Sequence, residues 1–138
     1  MNQTLKKELS VTACKIRMGA VTAVHSAKSG HPGGSLSAAD ILTYLYFQEM
    51  NVDPQNPKKD DRDRFVLSKG HIAPGLYSTL AHRGFFPVEE LKTLRKIGSR
   101  LQGHPDMKKI RTETVLYYQK VTQHLHYMQY LHRKDFSL

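Results

Sequence analysis

The sequence predicts an α/β chain that is mainly helical. Three observations lead there. Apolar residues recur at steps of three and four over several stretches. One short apolar run, Phe65-Val66-Leu67-Ser68, reads as a buried strand. Glycine-bearing turns, three of them holding a histidine, stand at the ends of these elements, where α/β proteins place their ligands.

Over 5–27 the residues Leu5, Leu9, Thr12/Ala13, Ile16, Ala20, Ala23/Val24 and Ala27 share one helical face. Gly30-His31-Pro32-Gly33-Gly34 should end that helix, because such residues do not sustain one. Ser37 with Asp40 three residues on resembles a capping box, with Asp in place of the usual Glu or Gln. A second helix is therefore expected over 38–50, with Ile41, Leu42, Leu45, Tyr46 and Met50 on or near one face. The polar, proline-bearing stretch 53–64 is a loop ahead of the strand. Lys69-Gly70-His71 makes a turn, and 73–82 is helical again. Pro87, Glu89 and Glu90 suit a helix N-terminus, where proline loses no hydrogen bond and acids meet the positive end of the dipole. That helix should reach about residue 96, and 101–106 is a further turn.

Composition breaks near Ile110. All nine glycines and all six prolines precede it, whereas 111–138 holds four of the seven tyrosines and three of the eight histidines. We therefore expect a body over 1–110 and a divergent tail over 111–138. In the tail Val115, Tyr118, Val121, Leu125, Met128 and Leu131 are spaced as on an amphipathic helix.

Bulk properties bound the function. With 39% hydrophobic residues over 138 positions the chain can build a modest core. No apolar run is long enough to span a bilayer, so no membrane role is expected. The first fifteen residues lack the apolar stretch of a secretory signal. The single cysteine, Cys14, fits a reducing cytoplasm and reads as a small buried residue on a helix. The net charge of +9 is scattered rather than clustered: Lys58 and Lys59 are followed at once by Asp60, Asp61 and Asp63. No basic stripe interleaved with aromatics appears, which argues against a nucleic-acid partner. A phosphorylated sugar or a diphosphate cofactor would also use a positive surface.

The chemistry-bearing feature is the set of histidine turns. His31 lies in Gly30-His31-Pro32, His71 in Lys69-Gly70-His71, and His104 in Gly103-His104-Pro105. Glycine permits sharp turning and close approach to a ligand. Imidazole exchanges protons near neutral pH and binds hydroxyl, carbonyl or phosphate oxygens. Three such turns can ring one pocket. The stretch Gly30 to Ser35 lacks the Gly-Lys-Ser/Thr of a phosphate loop, although it precedes a helix N-terminus, which favours anions. There is no Cys pair and no His-Glu-x-x-His, so no metal ligand is assigned.

Several motifs together resemble the transketolase family. They are Ser29-Gly30-His31-Pro32-Gly33-Gly34 with Ser37-Ala38-Ala39-Asp40-Ile41-Leu42, then Asp61-Arg62-Asp63-Arg64-Phe65-Val66-Leu67-Ser68-Lys69-Gly70-His71 with Leu76-Tyr77 and Gly84-Phe85-Phe86-Pro87. Glu89-Glu90-Leu91 and Gln102-Gly103-His104-Pro105-Asp106 complete the set. The order and intervals match over about 5–109. The form Ser68-Lys69-Gly70-His71-Ile72-Ala73-Pro74 is nearest to the N-terminal section of enzymes split into two polypeptides. The resemblance implies a thiamin-diphosphate-binding, three-layer α/β fold, here an incomplete and mainly helical fragment. It also implies transfer of a two-carbon ketol unit between sugar phosphates, in the cytoplasm, as part of the pentose phosphate pathway. The cofactor would be the electron sink, while the protein orients and moves protons. His31 corresponds to the family histidine that contacts substrate oxygens and assists proton transfer. His71 corresponds to the one that reaches the cofactor diphosphate and the substrate, and His104 to one that binds a donor hydroxyl. Gly34 sits where the family backbone passes the thiazolium ring. The implied cofactors are thiamin diphosphate and Mg²⁺ or Ca²⁺. The implied partner is a C-terminal transketolase section or a second transketolase chain.

After residue 109 the resemblance stops. The family's Gly-rich Thr-Gly-Ser-Leu-Gly-Gln-Gly stretch, its Gly-Asp-Gly and the Asn that holds the divalent ion have no counterpart in 110–138. Two ionised phosphates without a counter-ion repel. The expectation is a section truncated after about residue 109, inactive alone and marginally stable for want of its partner layers. The alternative is a non-catalytic truncated remnant or an association module.

Overall fold

Asn2 opens the first helix, α1 (Gln3–Ala27), by accepting the Leu5 N–H on its side chain at 2.7 Å. The computed structural model describes residues 2–106, Ile110, Val115–Leu116 and Met128–Leu131. α1 ends at Lys28, whose left-handed backbone (φ 49°) turns its N–H onto the carbonyls of Val24 and His25. The stop thus comes two residues before the glycine turn. Ala13, Ile16, Gly19, Ala20 and Ala23 are buried, as the periodicity predicts. Cys14 corrects the expectation of a buried thiol: one position round from Ala13, it faces outward and is exposed.

The second helix, α2 (Pro32–Tyr44), begins inside the glycine turn rather than after it. Pro32 sits in the first turn, where proline's missing N–H has no intrahelical partner to lose, and Gly33 and Gly34 follow in the same turn. The Ser37–Asp40 capping box does not form. Ser37 donates instead to the Gly34 carbonyl at 3.0 Å, and Asp40 pairs with Arg17 of α1 at 2.5 Å. One π turn (Leu45–Glu49) follows, closed by the Met50 N–H on the Leu45 carbonyl at 2.8 Å. Leu42, Tyr46 and Met50 are buried, while Ile41 is exposed.

The strand β1 (Arg64–Leu67) buries Phe65 and Leu67 completely. A short 3₁₀ turn (Gly70–Ile72) leads into the third helix, α3 (Ala73–Arg83), whose residues 73–81 are all buried. Ser78 of α3 donates to the Ile16 carbonyl of α1 at 2.8 Å, directly over Gly19. A Cβ at position 19 would collide with that hydroxyl, so glycine sets the close approach of the two helices. Gly84, with φ 101°, ends α3.

Two further expectations are corrected. The helix over 87–96 is a 3₁₀ stretch (Val88–Thr93) instead. Leu91 and Leu94 are both buried, and three residues per turn places such a pair on one edge. The tail is not one amphipathic helix where it is described: Val115–Leu116 and Met128–Leu131 are strands, β2 and β3. They flank β1 in the order β2-β1-β3, β2 parallel (Phe65 opposite Val115) and β3 antiparallel (Phe65 opposite Tyr130). A lone strand leaves two rows of backbone donors and acceptors unpaired, and pairing both edges satisfies them. Tyr118, Val121 and Leu125 lie outside the described residues. The result is a mainly helical fold with a small mixed sheet.

Candidate functional site

His31 and His71 come from different elements and meet. His31 is the residue before Pro32, at the N-cap of α2. His71 sits in the 3₁₀ turn between β1 and α3. Their rings stand edge to face, centroids 5.6 Å apart and planes at 89°, and both are exposed.

Gly34 makes this meeting possible. A Cβ there would lie 2.6 Å from Ile72 Cγ2 and 3.7 Å from His71 Nε2. The first turn of α2 can therefore rest directly on the His71-Ile72 turn only if position 34 lacks a side chain. Ser35 fastens the contact from inside. Its buried hydroxyl accepts the Gly75 N–H at 3.1 Å and donates to the Ile72 carbonyl at 3.4 Å.

His104 is held by a different set of links. Tyr77, on α3, donates its buried hydroxyl to the Gln102 carbonyl at 2.8 Å. Burial pushes the Tyr77 phenol well above its ordinary range, and Asp106 adds to the rise, so it remains a donor. Arg95 donates through Nη1 to Ser29 Oγ at 2.7 Å and lies against Gly103. His104 itself is exposed. Thus His31 and His71 touch, whereas His104 connects to them through Tyr77 and Arg95.

The arrangement suits an oxyanion-bearing ligand. The first turn of α2 contains no acid and no side-chain cap, leaving backbone N–H groups available beside two imidazoles. Ser68, at the end of β1, has a buried hydroxyl with no hydrogen-bond partner among the described residues. These features fit a phosphorylated group. A metal fits less well: among the described residues no three His, Cys, Asp or Glu side chains gather.

The remaining histidines lie elsewhere. His25 is exposed on α1. His82 is half-buried, bonded to the Lys15 backbone, and lines a cleft of about 300 Å³ with Lys15, Met18 and Thr22. His124, His126 and His132 lie outside the described residues. Sequence reasoning missed Ser35, Ser68 and Arg95. Nothing in their spacing marks them: Ser35 and Arg95 act through contacts between segments distant in sequence, and the burial of the Ser68 hydroxyl is a property of the fold.

Known proteins share this body. A family model described as "Transketolase, thiamine diphosphate binding domain" matches residues 8–116. The chain is 45% identical over 112 residues to a transketolase of Pongo abelii, covering 81% of this chain and 18% of that protein. It is 48% identical over 97 residues to one subunit of an apulose-4-phosphate transketolase of Phocaeicola vulgatus, covering 70% and 34%. The crystal structure of a Pichia stipitis transketolase in complex with sedoheptulose 7-phosphate superposes with a TM-score of 0.72 at 40% identity, covering 75% of this chain and 15% of that one. The chain therefore spans under a fifth of the Pongo abelii and Pichia stipitis transketolases and about a third of the Phocaeicola vulgatus subunit.

Proposed function

Because the chain belongs to the transketolase family, we propose that it supplies the N-terminal half of a ketol-transfer site, with thiamin diphosphate as cofactor and sugar phosphates as substrates. The observation that carries this is the apposition of His31 and His71 over Gly34, at the uncapped start of α2. Thiamin diphosphate, when bound, supplies the electron sink.

The chain's own residues do the rest. His71 Nε2, beside Gly34, donates to a diphosphate or substrate oxygen. His31, exposed at the start of α2, exchanges a proton with a substrate hydroxyl. His104 binds a donor hydroxyl from the turn held by Tyr77. Gly34, seated against Ile72 and beside His71, takes the position where the family backbone passes the thiazolium ring. The described residues offer no metal cluster, so no step here runs through Mg²⁺ or Ca²⁺, and the ion would be held by other residues.

Such a site needs a second section. Val11, Cys14, Met18 and Val21 form an exposed stripe along α1, which supports a partner chain covering it. We take that partner to be a C-terminal transketolase section or a second transketolase chain, acting in the cytoplasm on the sugar phosphates of the pentose phosphate pathway. A split-subunit relative supports the first choice.

The 138-residue polypeptide tested alone should show little transfer. Calorimetric titration with thiamin diphosphate and Mg²⁺ should give no micromolar binding, and a coupled assay should show transfer only when a C-terminal section is added. Micromolar binding by the isolated chain would overturn the inactivity. Absence of transfer in the mixture would overturn the enzyme reading.

A further inference from the structure

We infer that Arg95 is a positioning residue: it locks the turn that carries His104 to the turn that carries His31. Its importance for catalysis rests on the proposed function above; the lock itself does not.

Arg95 adopts a left-handed backbone, φ 61°, which residues with a Cβ rarely take. Its N–H donates to the Leu101 carbonyl at 2.8 Å, closing the loop 95–101. The side chain then lies across Gly103. A Cβ on Gly103 would stand 2.9 Å from Nη2, 3.0 Å from Nε and 3.2 Å from Cζ. The absence of a side chain at 103 is what admits the guanidinium. From there Nη1 reaches Ser29 Oγ at 2.7 Å.

Both ends of this link flank the site. Ser29 is two residues before His31, and Gly103 is one before His104. Ser29 still gives its N–H to the Val24 carbonyl at 3.3 Å, closing the end of α1, whereas Gly30, at φ 141°, carries the chain away from the helix toward His31. The Arg95 link adds a tether from outside, which ties the segment leading to His31 to the turn that carries His104. The Arg95 charge also acts on Tyr77, whose hydroxyl holds Gln102. Arginine suits the task because it is planar, remains charged at every working pH and presents several donors in a fixed fork. Arg95 is exposed, so it braces the surface and is no part of the core.

The test uses the full chain labelled with ¹⁵N at histidine. The variants are Arg95→Ala, Arg95→Lys, Ser29→Ala and Gly103→Ala. Gly103→Ala keeps the arginine but pushes its flexible end aside, so the fold should persist. Arg95→Ala and Gly103→Ala should each move the ring signals of both His31 and His104. Those of His25 and His82 should stay in place, and Arg95→Lys should restore part of the wild-type pattern. If only His104 moves, or neither does, the lock is refuted. Should Arg95→Ala fail to fold, Gly103→Ala and Ser29→Ala decide, the latter moving His31. Mixed with a C-terminal transketolase section, Gly103→Ala should lower kcat by about tenfold or more with a smaller change in KM. Unchanged kcat with shifted histidine signals would overturn the positioning role. If the wild-type mixture shows no transfer, the proposed function falls, while the histidine signals still decide the lock.

Discussion

Gly33 and Gly34 offer a paired test of how the site is built. They are neighbours in the first turn of α2, with opposite surroundings. A Cβ at Gly33 would meet nothing within 4 Å, and a Cβ at Gly34 would stand 2.6 Å from Ile72 Cγ2. Carbon atoms prefer about 3.5–4.0 Å, so Gly34→Ala must separate α2 from the 3₁₀ turn by about 1 Å. Ile72 cannot swing away: it is 1% exposed, branched at Cβ, and its carbonyl receives the Ser35 hydroxyl. Overpacking of this kind costs about 1–3 kcal/mol, and alanine's better helix propensity returns up to about 1. The net loss is about 1–2 kcal/mol for Gly34→Ala. Gly33→Ala should be neutral or gain up to about 1 kcal/mol.

Thermal unfolding followed by far-ultraviolet circular dichroism reads the difference. At this chain length about 1 kcal/mol corresponds to roughly 3–5 °C, so Gly34→Ala should melt about 3–10 °C below wild type. Gly33→Ala should melt at or slightly above it. A cycle with Ile72→Ala adds a second check, since that substitution should cost less in the Gly34→Ala background than in wild type. Equal melting of the two glycine variants, or strict additivity with Ile72→Ala, would refute the proposed contact and with it the role of Gly34 in seating His71.

Other expectations follow from the same geometry. Tyr77→Phe removes the hydroxyl that holds Gln102 and should cost about 1 kcal/mol, with faster amide exchange over 101–104; unchanged exchange there would contradict the Tyr77 anchor. Gly19→Ala forces a Cβ onto the Ser78 hydroxyl and should destabilise by about 1–2 kcal/mol, a loss that Ser78→Ala partly relieves in the double variant. His82 is pushed below its ordinary 6.5, first by burial. The unfolded chain then binds the proton more readily than the folded one. His82's contribution is therefore complete above about pH 6.5 and is lost as pH falls through the folded value. Melting curves at falling pH should show this loss in wild type and a flatter profile in His82→Gln; an unchanged profile would remove His82 as its source.

What could be read from the sequence divides by range of interaction. The buried face of α1 was legible because Ala13, Ile16, Ala20 and Ala23 repeat with the helix's own period. The histidine turns were legible because glycine and proline mark them locally. The start of α2 was misread for the same local reason: Gly33 and Gly34 look like helix breakers. In a first turn their N–H groups need no intrahelical partner, and the tertiary contact of Gly34 with Ile72 decides the matter. The strands β2 and β3 were missed because strand pairing is a property of two segments, here separated by some fifty residues or more, and the tail's spacing also fits a helix. Ser35 and Arg95 were invisible on the same grounds, with partners about 40 and 66 positions away.

The site is therefore held at two depths, and the two should respond differently to perturbation. His31 and His71 are positioned through buried contacts, Gly34 on Ile72 and the Ser35 hydroxyl between Ile72 and Gly75. That pairing belongs to the core and can be lost only at a cost in stability. His104 joins through one hydroxyl bond, from buried Tyr77 to the Gln102 carbonyl, and the surface brace of Arg95. Its register with His31 can loosen while the fold survives, because no buried apolar surface opens when Arg95 lets go. A ligand contacting all three histidines would then stabilise the outer links most. Protection of 101–106 on ligand binding should exceed protection of 70–75, whose hydrogen bonds are already made in the free protein. The reverse order would mean that the inner pair is the part that assembles on binding, and that the buried Ser35 contacts do not fix it beforehand.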